Sequence, residues 1–263
     1  VDEYGFQLLR EKIKKDINFN APCYEEKHLK RRLAVRMKAL NISSYREYLG
    51  FLSRQREEYS RLLRALTINV TEFFRDPSTF KAIQNEVLPR IIASRRRIRI
   101  WSSGCSDGKE PYSIAILLLE ALGGALSRFN PIIYASDIDD EMLAKAEMGE
   151  YKEAEMKGLP QDYLQKYFQR TNTGYRVTDR VKRLVKFEHR DLISDPKHRF
   201  LDLILCRNVV IYFAREVKEK VYMDFYDSLN PGGFLVLGRA ETLLGEAREK
   251  FRLFNNIERI YVK

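Results

Sequence analysis

The chain has 263 residues, a net charge of +10, 44% hydrophobic and 12% aromatic residues, enough for one large domain with its own core plus a smaller one. Its three cysteines (Cys23, Cys105, Cys206) and three histidines (His28, His189, His198) are dispersed, with no CxxC spacing. That argues against a disulfide framework or zinc site and fits a reducing compartment, so no metal is expected. The longest apolar run, residues 114–119, falls far short of the roughly 20 residues that cross a bilayer. With no signal-peptide core at the N-terminus either, a cytoplasmic protein without membrane insertion is expected.

Residues 1–97 hold 21 Lys+Arg against 12 Asp+Glu, so they carry +9 of the net +10. Such asymmetry points to an acidic partner for the N-terminal third, whether nucleic acid, anionic lipid or an acidic protein surface. Up to about Ser94 the apolar residues recur at three and four positions, as in amphipathic helices. Phe6, Leu9 and Ile13 mark a first helix; Leu29, Leu33, Met37 and Leu40 form a stripe on a second. Lys27, Lys30, Arg31 and Lys38 lie opposite that stripe, flanked by Arg32 and Arg36. Ser43-Ser44 precedes a third helix through Tyr48 and Leu52, and Leu62, Leu63 and Leu66 indicate a fourth.

After "SRRR" the order becomes strand, loop, helix, strand. Ile98, Ile100 and Trp101 suggest a first strand, 111–122 a helix with proline early in its first turn, and "PIIYASD" a second strand. Asp139 is placed to cap "DEMLAKAEM". A less regular insert follows, with the helical "QDYLQKYF" and a short hairpin in "TNTGYRVTD". "RLVKFEHRD" and the apolar "FLDLILCRN" read as strands, "REVKEKVYMDFYDSL" as a helix ended by Asn230-Pro231-Gly232-Gly233, and "FLVLG", "FRLFNN" and "ERIYVK" as closing strands. Strands alternating with helices predict an α/β fold with a mainly parallel, doubly wound sheet.

The loop in "WSSGCSDGKEPYSIA" (101–115) tests three ligand classes. A phosphate-binding P-loop requires GxxxxGK[ST]. Here the interval from Gly104 to Gly108 is one residue short, and Glu110 stands where Ser or Thr is required. A dinucleotide fingerprint requires GxGxxG, which is absent. S-adenosylmethionine (SAM) has a ribose and an ammonium but no phosphate, so a carboxylate such as Glu110 suits its cationic part. Asp137, ending the next strand in "YASD", suits the ribose hydroxyls.

Four segments, "NVTEFFRD" (69–76), "WSSGCSDGKEPYSIA", "ASDID" (135–139) and "CRNVVIYF" (206–213), together resemble the chemotaxis-receptor glutamate O-methyltransferases, the CheR family, along essentially the whole chain. The resemblance implies a class I methyltransferase Rossmann-like sheet, preceded by a small all-α domain and carrying a small β-subdomain insert. The expected divisions are a helical recognition domain at 1–80, a linker helix at 81–94, and a methyltransferase domain at 95–263 with its insert at about 151–183. It implies cofactor contacts at Asn69, Thr71, Arg75, Gly104, Glu110, Asp137, Asp191, Leu192, Arg207 and Asn208, and a tyrosine near the transferred methyl at Tyr212.

The implied reaction esterifies glutamates on the acidic cytoplasmic methylation helices of methyl-accepting chemotaxis receptors and leaves S-adenosylhomocysteine (SAH). Lys27, Lys30, Arg31 and Lys38 offer the complementary charge. "FQRTNTGYRVTDRV" is a few residues shorter than the subdomain loop that grips a receptor-tail peptide in some members, so tail tethering is expected to be weak or absent. A monomer is expected. The competing classes are a nucleic-acid methyltransferase and a non-catalytic cofactor-binding module. "RNVVIY" lacks the Asn/Asp-Pro-Pro-aromatic loop used on exocyclic amines, and no flipped-base platform stands out, so no nucleic-acid partner is expected. The near-complete set of motifs argues against the idle module.

Overall fold

The computed structural model describes residues 2–263. The chain divides into two compact units, Val1–Asn69 with Tyr212–Lys218, and Val70–Ile211 with Glu219–Lys263. Residues 70–80, grouped with the helical domain on sequence, lie in the second unit.

The first unit is built from α1 (Glu3–Ile17), α2 (Glu26–Ala39), α3 (Tyr45–Arg54) and α4 (Glu58–Thr67). Asp2 caps α1 by accepting the Gly5 N–H, and Ser44 caps α3 by accepting the Glu47 N–H. The predicted apolar positions Phe6, Leu9, Ile13, Leu29, Leu33, Met37, Tyr48, Leu52, Leu62 and Leu66 are buried. The second stripe stops at Met37, because Leu40 is the C-cap of α2 and stays half-exposed. Glu58 is buried and accepts from Arg36 Nε and Nη2 at 2.9 and 2.7 Å and from the Tyr48 hydroxyl at 2.8 Å. Burial and this carboxylate push the Tyr48 phenol up, so it remains a donor.

The second unit holds β1 (Arg99–Ser103), β2 (Ile132–Asp137), β3 (Glu150–Tyr151), β4 (Phe168–Arg170), β5 (Tyr175–Val177), β6 (Val185–His189), β7 (Leu201–Cys206), β8 (Leu229–Leu237), β9 (Arg252–Asn255) and β10 (Ile260–Val262). Seven form one sheet in the order β6-β2-β1-β7-β8-β10-β9, parallel except for β10; β3, β5 and β4 form a small antiparallel sheet within the insert. All of β7 is buried, as the apolar run 203–206 requires of a central parallel strand, and its one charged residue, Asp202, is buried with Arg95 Nε at 2.8 Å. The Asn230-Pro231-Gly232-Gly233 stretch does not separate helix from strand as expected. Pairing resumes at Leu229 opposite Leu201, and an irregularity absorbs the turn residues inside β8.

The linker helix begins earlier than 81, running from Pro77 to Ser94 with a π turn at Ile83–Val87. Pro89 lacks the N–H for the preceding turn, which the wider turn accommodates. The segment Lys109–Phe129 is long and apolar enough to cross a membrane by composition. Here it is a helix, a 3-10 turn and a second short helix, and side chains 114–119 lie in the core between the sheet and the Pro77–Ser94 helix.

Removing Glu58 leaves a half-buried guanidinium and a buried phenol without their acceptor. Glu58→Ala is expected to destabilise the helical unit by about 2–4 kcal/mol, read as a lower urea midpoint. A loss below about 0.5 kcal/mol would show that Arg36 and Tyr48 do not depend on it.

Candidate active site

The chain order reverses between β1 and β7, which are hydrogen-bonded neighbours. A crevice opens outside the carboxyl ends of parallel strands at such a switch point. The loop leaving β1 meets the loop leaving β7 there. Gly104 has φ +76°, and a Cβ on it would lie 2.3 Å from Val209 Cγ2, so both backbone conformation and space demand glycine. The Gly104 and Cys105 N–H groups donate to Ser136 O at 2.8 and 3.0 Å, which ties the loop to the end of β2.

Asp137 ends β2 and is buried. Ser106 N–H donates to Oδ2 at 2.7 Å and Asp139 N–H to Oδ1 at 3.0 Å. Burial raises this carboxyl above its ordinary range, and the two N–H bonds oppose the rise. An ionised carboxylate has about four acceptor positions, so these bonds leave capacity for a vicinal diol. The helix-capping role belongs to Asp139 instead, whose side chain accepts from the N–H groups of Glu141 and Met142.

Glu110 lies in the first turn of helix Lys109–Leu122. It accepts from Ser102 Oγ at 2.7 Å and from Arg207 Nη1 at 3.3 Å. Arg207, just beyond β7, has 2% side-chain exposure. Its Nη2 donates to Asp76 Oδ2 at 2.6 Å and Arg75 O at 2.9 Å, while Nε is buried without a partner. One guanidinium thus ties together the end of β7, the first turn of the helix after β1, and the "FFRD" segment. Phe73 and Phe74 root that segment in the sheet unit's core.

The stretch 208–211 is shaped by a residue that sequence reasoning missed. Glu241, buried beyond β8, accepts the N–H groups of Asn208 (2.9 Å), Val209 (3.1 Å), Ile211 (3.3 Å) and Gly238 (2.6 Å). Burial pushes its carboxyl up and these four donors pull it back. Asn208 is thereby held at φ +60°, with Oδ1 buried and unpartnered. Little in "GRAETLL" marks Glu241, because three of its four donors, Asn208, Val209 and Ile211, lie far earlier in the chain.

Asp107, Lys109, Lys145 and Glu155 form a second unforeseen cluster. Both lysines reach Asp107 and Glu155, joining the loop after β1 to the insert. Burial alone would raise Glu155, but Lys145, the Lys152 N–H and Lys109 bring it to about 2.

The other expected residues fall as follows. Asp191 is buried, and its carboxylate accepts from Ile193 N–H and Ser194 Oγ, which rigidifies the turn carrying buried Leu192. Thr71 is half-buried, and Arg75 donates to Val70 O at 2.8 Å. Asn69 and Tyr212 belong to the first unit. Lys27, Arg31 and Lys38 are exposed on α2, but Lys30 pairs with Glu3 and Glu26 at 3.0 and 3.4 Å and lies over the Phe6 ring. Its charge is therefore partly neutralised within the unit.

These residues fit SAM. Asp137 has acceptor capacity for a diol, Glu110 is a carboxylate for an ammonium, Asn208 Oδ1 is an orphaned acceptor, and the glycine at 104 allows close backbone approach. Among the described residues no cluster of three or more His, Cys, Asp or Glu is arranged to hold a metal ion. Residues 69–260 match the CheR methyltransferase SAM binding domain, and residues 5–67 match the CheR methyltransferase all-alpha domain. The chain belongs to the CheR methyltransferase family.

It is 31% identical over 252 residues to a chemotaxis protein methyltransferase of Listeria monocytogenes, covering 95% of this chain and 94% of that one. To chemotaxis protein methyltransferase 2 of Vibrio cholerae it is 38% identical over 221 residues, covering 81% and 76%. To the chemotaxis protein methyltransferase of Salmonella typhimurium it is 36% identical over 230 residues, covering 83% and 76%. This CheR-family chain is a SAM-dependent methyltransferase built on a mainly parallel sheet.

Charge-assisted contacts of the Glu110 kind are worth about 1.5–3 kcal/mol. Glu110→Gln is therefore expected to weaken SAH binding by at least about ten-fold in calorimetry. Glu241→Gln, which replaces an acceptor oxygen by an amide donor among four N–H groups, is expected to weaken it by a similar factor. Unchanged affinity in either variant would remove that residue from the site.

Proposed function

We propose that this methyltransferase esterifies glutamate side chains on the cytoplasmic methylation helices of chemotaxis receptors, working in the cytoplasm. The observation that carries this reading is Glu110. A carboxylate in the first turn of the helix after the glycine loop suits a cationic, phosphate-free cofactor, in a chain similar from end to end to chemotaxis methyltransferases.

When bound, SAM supplies an electrophilic methyl group on a sulfonium and leaves as SAH. The chain's residues have the task of binding and aligning. Asp137 holds the ribose hydroxyls, Glu110 the ammonium, and the Asp191-Leu192 turn lines the adenine side. Arg207 holds Glu110 in place and Asn208 contributes its free acceptor, while Asn69, Thr71 and Arg75 are assigned to the cofactor as well. Receptor glutamates, with an ordinary pKa of about 4.3, are already ionised at neutral pH. No general base is required, and the rate comes from proximity, alignment and partial desolvation of the attacking carboxylate. Tyr212 orients that carboxylate.

Lys27, Arg31 and Lys38 give α2 an exposed basic face suited to an acidic receptor helix. The β4–β5 turn is only residues 171–174, so recognition is assigned to the helical unit rather than to capture of a receptor tail.

The test is transfer of labelled methyl from SAM to receptor-bearing membranes, RNA or DNA. The expected result is label in receptor protein that leaves as methanol in mild base, as an ester must. In the same assay Arg31→Glu with Lys38→Glu is expected to raise receptor KM about ten-fold or more and flatten its salt dependence, with SAH affinity unchanged. Base-stable label, label in nucleic acid, or no turnover would each overturn the proposal.

A further inference from the structure

The chain leaves the sheet unit at Ile211, contributes Tyr212–Lys218 to the helical unit, and returns at Glu219. Within the helical unit this passage is paired with the residues that lead into the basic helix. Glu25 N–H donates to Tyr212 O and Ala214 N–H to Cys23 O, both at 2.9 Å, around an antiparallel bridge between Tyr24 and Phe213. The Tyr24 ring meets Phe213 edge-on at 5.0 Å and stacks on Phe19 at 4.6 Å. Lys218 Nζ closes the pairing on Glu25 at 2.9 Å.

Helix α2 starts at the next residue, Glu26. Its third residue, His28, is buried, with its ring centred 4.3 Å from that of Tyr212 at an interplanar angle of 34°. His28 Nε2 lies 3.4 Å from Leu66 O, so this nitrogen carries the proton. Burial holds the imidazole below its ordinary value, and the neutral ring packs on the tyrosine without burying a charge. The histidine faces inward between Lys27 and Lys30, while Lys27 and Arg31 stay exposed one turn apart.

We propose that His28 is a positioning residue for Tyr212, so that the helix presenting Lys27, Arg31 and Lys38 also sets the orientation of the tyrosine ring. This rests on the reading that Tyr212 works at the methyl-transfer centre. Three contacts of independent kinds fix the segment: paired backbone, a ring on the tyrosine, and an ion pair. All three contacts lie within the recognition unit.

Two substitutions separate positioning from mere stability. His28→Gln keeps an N–H donor for Leu66 O but removes the ring; His28→Phe keeps a ring and removes the donor. Turnover on receptor membranes and SAH affinity are measured for both, alone and combined with Tyr212→Phe. The expected result is kcat lowered about ten-fold in His28→Gln and within about two-fold of wild type in His28→Phe, with SAH affinity unchanged. In the Tyr212→Phe background His28→Gln is expected to cost less than about two-fold, because coupled residues do not add.

The reverse order of the two variants would assign His28 to a structural hydrogen bond and overturn the proposal. So would equal losses in both backgrounds. If Tyr212→Phe alone leaves kcat unchanged, the role of the tyrosine itself fails and this inference falls with it. A drop in Tyr212→Phe that His28→Gln does not share refutes the positioning role alone.

Discussion

A guanidinium with 2% side-chain exposure must be neutralised in place, because it cannot reach water. Arg207 meets that demand by drawing Asp76, the Arg75 carbonyl and Glu110 towards the end of β7. Those partners come from the segment that opens the sheet unit and from the helix after β1. One buried cation thus sets the relative placement of three stretches around the switch point, including the carboxylate assigned to the cofactor. Arg207 acts less as a free contact than as the fastening that makes Glu110 point one way.

The anionic counterpart is Glu241. Four N–H donors on one carboxylate, a costly arrangement to bury half-made, hold residues 208–211 against the start of the loop beyond β8. Asp137 is held in the same manner by Ser106 and Asp139. Each carboxylate at the site is oriented by donors from the chain itself. Such preorganisation lowers the ordering cost of binding. The arrangement suits a reaction in which alignment matters more than proton transfer.

Much of this was legible in the sequence, for identifiable reasons. Helical stripes at Phe6-Leu9-Ile13 and Leu29-Leu33-Met37, and the strand-loop-helix order around Gly104, are periodic or local features and needed no long-range knowledge. The Asp139 cap was readable from its position alone. Glu241 was not, because its meaning lies mostly in loop amides far away in sequence, and a lone acid in "GRAETLL" has little local signature. Asp76 stood inside a quoted motif, yet its role follows only from a buried arginine 131 residues later. Lys30 read as one of four equivalent charges, and only tertiary packing reveals Glu3 beside it. The assignment of Tyr212–Lys218 to the helical unit was equally hidden, since a bridge from Tyr24 to Phe213 leaves no periodicity.

The proposed SAM site rests on buried, opposed charges at the β1–β7 switch point. The most direct measurement is a crystal structure of the intact chain with SAH. Glu110 and Asp137 are expected in contact with the ligand's ammonium and ribose hydroxyls, with the Arg207–Asp76 pair and the four Glu241 bonds retained. SAH bound elsewhere, or bound here only after those bonds break, would contradict the proposed site.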